Sequence, residues 1–165
     1  MPYIEEHLKP SRLEHTLQVT KLAKEMAAKF GADENKAEIA ALLHDMAKYE
    51  KRPGVNMDFA HGGIGAEMSE ELFGIEDQDI LNAIRYHTTG RAGMSTLEKI
   101  IFLADAIEPG RKYPGVDEIR KTAETDLDGA CILSLQRTIE HVRDEKGWYL
   151  HPATIEAKED LEETH

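Results

Sequence analysis

A histidine and an aspartate stand next to each other in an apolar stretch of the chain, at His44 and Asp45. Ala40, Leu43 and Ala47 accompany His44 on one stripe, at the spacing of a 3.6-residue helical turn. Adjacent residues on a helix project about 100° apart, which suits two ligands that approach one metal ion from neighbouring directions. Taken alone, the pair is equally compatible with a hydrogen-bonded core histidine beside a solvated aspartate.

Four further helical segments repeat the same anomaly, because each carries a metal-competent residue on an otherwise apolar stripe. These residues are His15, His61, His87 and Asp105. Asp105 directly follows the most apolar run of the chain, residues 100–104. A buried ionisable group is costly unless a cation or hydrogen bonds compensate it. Five such groups that point into one core are better explained by a shared cation than by five unrelated core residues.

Imidazole and carboxylate ligands suit iron, manganese or zinc, and such an ion lowers the pKa of a coordinated water towards neutrality. Phosphoryl transfer also needs positive charge around the transferring group. Lys48 lies one turn from the His-Asp pair, and Arg111 follows Asp105 across a Pro-Gly turn. Both are candidates for phosphate binding, although a surface lysine and an ordinary loop arginine fit the spacing as well.

Two polar segments add candidates for binding a nucleotide. Thr88, Thr89 and Gly90 offer hydroxyl and backbone N–H donors for phosphate oxygens, or they form a plain helix stop. Trp148 and Tyr149 offer rings that can stack on a purine, or they lie at the edge of the core.

The composition describes one soluble globular domain over residues 1–165, with 41% hydrophobic and 32% charged residues. The net charge of −12 argues against nucleic-acid backbones and anionic membranes as partners. It does not exclude a phosphorylated small ligand, which responds to the local charge of a cleft. A homodimer is left open.

The single cysteine, Cys131, excludes an intramolecular disulfide, fits a reducing compartment and lies in an apolar run expected in the core. No apolar signal region opens the chain, and no apolar run is long enough to span a bilayer. We therefore expect a cytoplasmic protein.

Helix signals are dense and strand signals are nearly absent. Capping boxes at Ser11 with Glu14 and at Ser95 with Glu98 predict two helix starts, and Asp33 predicts a third. The predicted helices cover about 11–30, 33–48, 59–73, 77–87, 95–107, 116–123, 128–146 and an acidic C-terminal segment. The fold class is all-α, with seven or eight helices.

The order of these residues resembles the HD-domain superfamily of metal-dependent phosphohydrolases, which is named after its His-Asp pair. Further motifs are similar to the YqeK-type branch, which hydrolyses diadenosine tetraphosphate symmetrically to two ADP. They are His44-Asp-Met-Ala-Lys48, His61-Gly62, His87-Thr-Thr-Gly-Arg91, the run from Leu103 to Arg111, and His151-Pro-Ala-Thr154. The resemblance covers nearly the whole chain and implies a single HD-type helical bundle.

The resemblance also implies roles for individual residues. An iron ion would be held by His15, His44, Asp45 and Asp105. The catalytic residues would be Asp45, Lys48, His61 and His87. The pocket that binds the nucleotide would be lined by His15, Asp45, Lys48, His61, His87, Thr88, Asp105, Arg111, Trp148, Tyr149, Leu150, His151, Pro152 and Ala153. One departure is that Lys158-Glu159 follows Ala157, where the branch usually reads Ala-Arg-Asn.

Three alternatives remain open from the sequence. One is another HD phosphohydrolase, such as a nucleotidase or a cyclic-nucleotide phosphodiesterase, and another is a non-catalytic nucleotide sensor. A third is a di-iron oxygenase, because His61 and His87 supply enough ligands for a second ion. The preferred substrate is a dinucleoside polyphosphate, with a nucleoside diphosphate as product, and manganese or another divalent metal can replace iron.

Overall fold

The computed structural model describes residues 1–50, 52–145 and 149–165, and all regular elements in these ranges are α-helices. They are α1 (Pro2–His7), α2 (Pro10–Phe30), α3 (Glu34–Leu43), α4 (Met57–Phe73), α5 (Gln78–Arg85), α6 (Thr96–Ile107), α7 (Val116–Ala123), α8 (Leu127–Asp144) and α9 (Pro152–Thr164). The all-α prediction is confirmed. Eight of these nine helices match the predicted ones, and the additional element is the six-residue α1, which buries Ile4.

Several predicted helix boundaries are confirmed by capping interactions. Asp33 accepts hydrogen bonds from two backbone N–H groups in the first turn of α3. Ser95 and Glu98 form the reciprocal capping box at the start of α6. Gly31 and Gly74 end α2 and α4 with φ of 76° and 66°, a left-handed conformation that glycine adopts without a steric penalty.

The predicted capping box at Ser11 and Glu14 is wrong. Helix α2 begins at Pro10, with Lys9 at the N-cap and no side-chain capping hydrogen bond. A proline at the first helical position has a preset φ and needs no N–H partner, so it starts the helix without help from a serine.

The two segments that follow α3 and α5 are tight turns and not the helical continuations that the sequence predicts. His44 is the C-cap of α3, and its ring Nδ1 donates a hydrogen bond to the main-chain carbonyl of Ala41 at 2.6 Å. If α3 continued, that carbonyl would accept a hydrogen bond from the backbone N–H of Asp45 instead. His87 lies two residues beyond α5, and its ring Nδ1 donates a hydrogen bond to the carbonyl of Ile84 at 2.7 Å. Both histidines therefore follow a helix end, and each ring is hydrogen-bonded to a carbonyl of the last helical turn.

Helix α6 provides the centre of the core. Its Ile100, Ile101 and Leu103 are fully buried, and it packs against α2, α5 and α8. Cys131 on α8 lies in the same core, as predicted, and burial raises the pKa of its thiol. In the parts of the chain that the structure describes, none of the helices combines the length and apolarity needed to cross a bilayer.

Helices α4 and α5 approach each other at Gly62. A Cβ added there would lie 2.5 Å from the carbonyl oxygen of Arg85 and 3.0 Å from that of Ile84. We expect Gly62→Ala to lower the free energy of unfolding by about 1–3 kcal/mol, because two backbone segments must separate. Urea unfolding followed by circular dichroism measures this change.

The neighbouring Gly63 provides a matched control. A Cβ added at Gly63 meets no atom within 4 Å, and alanine is favoured in a helix interior. Gly63→Ala should therefore keep or slightly raise the stability. Equal unfolding midpoints for the two variants would contradict the close approach at Gly62.

Candidate active site

The four residues predicted to bind a metal, together with His61 and His87, converge from five helices on one cluster. His15 comes from α2 and His61 from α4, while His44 and Asp45 follow α3, His87 follows α5 and Asp105 lies on α6. Five of the six are buried, and Asp105 is half-buried. The structure therefore brings together the histidine or aspartate of each of the five predicted stripes.

The candidate ligand atoms are close enough to share an ion. Asp105 Oδ1 lies 2.8 Å from His15 Nε2 and 3.4 Å from His44 Nε2. Asp45 Oδ2 lies 3.9 Å from His15 Nε2 and 3.8 Å from His44 Nε2. Two overlapping groups have ligand atoms within 4.8 Å of one another, His15 with His44 and Asp105, and His44 with Asp45 and His87.

Hydrogen bonds fix which ring nitrogen of each histidine faces the cluster. The Nδ1 atoms of His44, His61 and His87 donate to main-chain carbonyls at 2.6, 2.8 and 2.7 Å. A carbonyl only accepts, so each Nδ1 carries a proton and each neutral ring presents a lone pair on Nε2.

The Nε2 atoms of His61 and His87 share the Thr88 hydroxyl as their hydrogen-bond partner, at 3.5 and 3.3 Å. The Nε2 atoms of His61 and His87 lie 3.0 Å apart, so two lone pairs would face each other unless a proton or a cation compensates them. His44 Nε2 is buried and makes no hydrogen bond within the described residues. Imidazole nitrogens that face one another and two carboxylates match the donor set of a divalent transition metal.

The electrostatics also favour a positive charge in the cluster. Burial alone lowers the pKa of His44, but the charges of Asp45 and of Asp105, whose Oδ1 lies 3.4 Å from His44 Nε2, outweigh it and raise the pKa to about 9. Burial alone would raise the pKa of Asp45, yet His44 and the other histidines hold it well below its usual range. The pKa of the Asp105 carboxyl is likewise held low, and burial lowers the pKa of His87.

These shifts predict a pH dependence of metal binding. An ion must displace the proton of His44, whose pKa is about 9. The apparent affinity for Mn²⁺ should therefore rise about tenfold per pH unit below pH 9 and level off above it. Isothermal titration between pH 6.5 and 9.5 measures this slope, and a constant affinity over that range would contradict it.

Two residues that sequence analysis did not single out complete the cluster. The guanidinium of Arg12 forms an ion pair with Asp45 Oδ2. Glu108 is buried, and its Oε2 accepts a hydrogen bond from His15 Nδ1 at 2.6 Å. Arg12 lies three residues before His15 on α2, and Glu108 is the C-cap of α6, three residues after Asp105, so both are neighbours of a predicted ligand in the sequence.

Of the predicted phosphate-binding residues, Arg111 and Thr88 contact the cluster. Arg111 donates to the main-chain carbonyl of Asp105 at 3.0 Å and lies 3.3 Å from its Oδ1. Thr88 Oγ1 lies 3.3 Å from His87 Nε2. Lys48 is half-buried in the turn after Asp45, and its side chain forms no ion pair within the described residues.

A cavity of about 440 Å³ opens beside Thr88. Its lining includes Phe59 and the predicted nucleotide residues Tyr149, Leu150 and His151. Ala153 lines the adjoining hollow of about 350 Å³, Pro152 is the first residue of α9, and Trp148 lies outside the described residues. The Phe59 ring lies 5.6 Å from both the Tyr149 and the His151 ring.

Helix α9 is attached to the Thr88 loop. Thr154 Oγ1 donates to the carbonyl of Thr89 at 3.0 Å. A Cβ added at Gly90 would lie 3.2 Å from the Ala157 side chain, so this loop packs closely on α9. The departure at Lys158-Glu159 follows this contact and leaves it unchanged.

Comparison with known proteins adds three similarities. Residues 12–110 match the HD domain family. The chain is 46% identical to the symmetrical bis(5'-nucleosyl)-tetraphosphatase of Bacillus subtilis, with 82% of each chain covered. It is 42% identical to the symmetrical bis(5'-nucleosyl)-tetraphosphatase of Halalkalibacterium halodurans, covering 92% of this chain and 89% of the relative.

A solved structure is similar over almost its full length. It is described as a predicted HD superfamily hydrolase involved in NAD metabolism from Clostridium acetobutylicum. The two chains share 40% identity with a TM-score of 0.91, covering 99% of this chain and 95% of the other.

Proposed function

We propose that this chain, which belongs to the HD-domain family, hydrolyses dinucleoside tetraphosphates symmetrically to two nucleoside diphosphates. The observation that supports the proposal most is the buried cluster of four histidines and two aspartates, whose imidazole Nε2 atoms face one another and two carboxylates. Relatives that cover most of the chain and carry the tetraphosphatase name favour diadenosine tetraphosphate as the substrate.

The metal would be held by His15, His44, Asp45 and Asp105. We propose iron, and manganese or another divalent ion suits the same nitrogen and oxygen donors. A divalent ion supplies Lewis-acid activation of water and neutralises phosphate charge when it is bound. The second group, which joins Asp45 to His87 and lies beside His61, offers ligands for a second ion.

Cationic side chains around the cluster would bind the phosphates. Arg111 and Arg12 each contact one of the two aspartates, so their guanidinium groups lie directly beside the proposed metal ligands. Lys48, whose side chain forms no ion pair with the described residues, adds an ammonium group one turn after Asp45. Thr88 offers a hydroxyl donor between the cluster and the cavity. Together these groups suit a diphosphate, whose oxygens accept several charge-assisted hydrogen bonds.

The cavity beside Thr88 would hold the nucleoside. Its volume of about 440 Å³ lies within the common range for small-molecule sites, about 300–1,000 Å³. The rings of Phe59, Tyr149 and His151 can stack on a base, and Thr138 and Thr154 offer hydroxyl groups. A nucleoside in this cavity with its two phosphates directed past Thr88 would place the second phosphate at the cluster.

This arrangement explains why the cleavage would be symmetric. The substrate joins two nucleosides by four phosphates, and breaking its central bridge requires reaction at the second phosphate from the bound nucleoside. The leaving nucleoside diphosphate is already a stable anion and needs little protonation. His61 and His87, whose Nε2 atoms lie 3.0 Å apart, are placed to hold or transfer the proton that is needed.

Product analysis tests the proposed function. The metal-loaded protein is incubated with diadenosine tetraphosphate in oxygen-18 water, and the products are separated and analysed by mass spectrometry. We expect ADP alone, with the label on the terminal phosphate of one ADP for each substrate cleaved. Products of AMP and ATP would mean reaction at the first phosphate and would contradict the proposal.

The same assay addresses the other candidate activities. Nucleoside monophosphates and cyclic nucleotides should be turned over far more slowly than diadenosine tetraphosphate, and the reverse order would favour a nucleotidase or a phosphodiesterase. Tight nucleotide binding without turnover would favour a sensor, although all four proposed ligands are present.

We further propose a single domain that acts in the cytoplasm on small molecules and not on nucleic acid or membranes. The net charge of −12 and the lone buried cysteine support this assignment. The oligomeric state, including a homodimer, is measured by light scattering.

A further inference from the structure

We infer that Glu108 is a positioning residue whose carboxylate holds the His15 ring in the tautomer that presents Nε2 to the metal. The inference rests on the metal centre proposed above. Glu108 Oε2 lies 2.6 Å from His15 Nδ1, and both side chains are buried. A proton on Nδ1 leaves the Nε2 lone pair for the ion, beside Asp105 Oδ1 at 2.8 Å.

His15 differs from the other three histidines of the cluster in this respect. Their Nδ1 atoms donate to main-chain carbonyls, whereas His15 donates to a carboxylate. A carboxylate partner makes the ligating nitrogen more basic than a neutral carbonyl does. Glu108 would therefore make His15 the most strongly donating imidazole in the cluster.

The burial of the Glu108 carboxylate destabilises the folded protein. Glu108 Oε1 is buried and has no hydrogen-bond partner among the described residues. A buried carboxylate oxygen without a donor is destabilising, so packing alone does not explain a glutamate here. The bond to His15 supplies the reason for its presence.

Gly110 leaves the space that this carboxylate needs. A Cβ added at Gly110 would lie 2.6 Å from Glu108 Oε1. Gly110 is not among the described glycines with positive φ, so the space beside Glu108, and not the backbone conformation, explains the glycine.

Arg120 on α7 fixes the segment that carries these residues. Its guanidinium donates to the main-chain carbonyls of Ile107, Glu108 and Arg111 at 2.9, 2.8 and 2.8 Å. Three bonds from one side chain hold the main chain of the turn after α6 in place, so the backbone that carries Glu108 is fixed beside His15.

Metal titration of matched variants tests the inference. Glu108→Gln keeps the size of the side chain but removes its charge, and we expect a 10- to 100-fold weaker affinity for Mn²⁺. Glu118→Gln, an exposed substitution on α7, is the control and should bind like the wild type. In the zinc-loaded proteins, NMR of the ring nitrogens should show a strongly hydrogen-bonded Nδ1 proton on His15 in the wild type but not in Glu108→Gln.

A second variant reaches the same contact without changing Glu108. Gly110→Ala should displace the carboxylate and weaken Mn²⁺ binding, whereas Gly63→Ala should not. In a Glu108→Ala background, Gly110→Ala should add little further loss, because no carboxylate is left to displace. This coupling separates an effect through Glu108 from a general disturbance of the turn.

The outcomes separate this inference from the proposed function. Wild-type affinity for Mn²⁺ in both Glu108→Gln and Gly110→Ala would overturn the positioning role. A wild-type protein that binds no divalent ion would overturn both proposals. Weakened binding in these variants, in a protein that fails to cleave diadenosine tetraphosphate, would support the role of Glu108 and refute only the substrate.

Discussion

Asp105→Asn should remove metal retention and hydrolysis together while the protein stays helical. Asp105 Oδ1 lies within 3.4 Å of His15 Nε2 and His44 Nε2, so it contributes negative charge at the centre of the proposed ligand set. Asparagine keeps the volume but loses the charge that compensates a divalent ion. We expect kcat/KM for diadenosine tetraphosphate to fall at least about a thousandfold, or about 4 kcal/mol of transition-state stabilisation.

The metal content distinguishes this role from a structural one. Elemental analysis after purification without added metal should find an ion in the wild type and almost none in Asp105→Asn. Circular dichroism should show an unchanged helical spectrum. Asp144→Asn, at an exposed position on α8, is the matched control for loss of one carboxylate. An Asp105→Asn protein with full metal and full turnover would mean that the metal lies elsewhere.

The sequence contains enough local information to predict the all-α fold and the residues that meet in the cluster. Caps such as Asp33 and Ser95 act within one helical turn, so their effect can be predicted without knowledge of the tertiary structure. The stripe positions of His15 and Asp105 could be recognised because a polar residue in an apolar stripe is conspicuous in any helix.

The helix ends at His44 and His87 could not be predicted from the same local rules. Their ring Nδ1 atoms donate hydrogen bonds to the carbonyls of Ala41 and Ile84, which the next turn of an α-helix would otherwise use. The rings can do so only because the buried cluster holds them in position. Helical periodicity contains no information about this competition for the carbonyls. The sequence therefore identified the residues that meet in the cluster, but it predicted helices that continue through His44, Asp45 and His87, whereas α3 and α5 end before them.

The contacts of Arg12 and Glu108 are long-range. Arg12 contacts Asp45 across 33 residues, and Glu108 contacts His15 across 93. Sequence spacing places each residue near one ligand, but only the packing of α2 against α3 and α6 gives it a partner on another helix. Residues that contact the histidines and aspartates of the cluster from another helix are therefore harder to predict than those histidines and aspartates themselves.

Arg12→Ala should have opposite consequences in the metal-free and metal-loaded protein. In the metal-free protein, Arg12 is a charge partner of the buried Asp45, and removing one partner of a buried pair costs about 3–5 kcal/mol of stability. Because Arg12 is partly exposed, at 22%, we expect the lower end of that range. A bound ion would compensate Asp45 itself, so the loss of stability should become small when Mn²⁺ is present.

Catalysis should show the reverse dependence. With the ion on Asp45, the guanidinium of Arg12 becomes available to substrate phosphate, and its loss should reduce kcat/KM about 10- to 100-fold, or about 1.5–3 kcal/mol. Arg12→Lys should recover only part of this, because an ammonium cannot form the two parallel bonds of a guanidinium. Arg143→Ala, at an exposed position on α8, is the control for loss of one positive charge.

Urea unfolding with and without Mn²⁺, together with steady-state kinetics, measures both effects on the same proteins. A purely structural ion pair would give the same loss of stability in both metal states and full activity in the folded, metal-loaded enzyme. A phosphate ligand with no structural role would leave the stability of the metal-free protein unchanged. The contact between Arg12 and Asp45 predicts neither pattern, because one guanidinium would serve the carboxylate before the ion binds and the substrate afterwards.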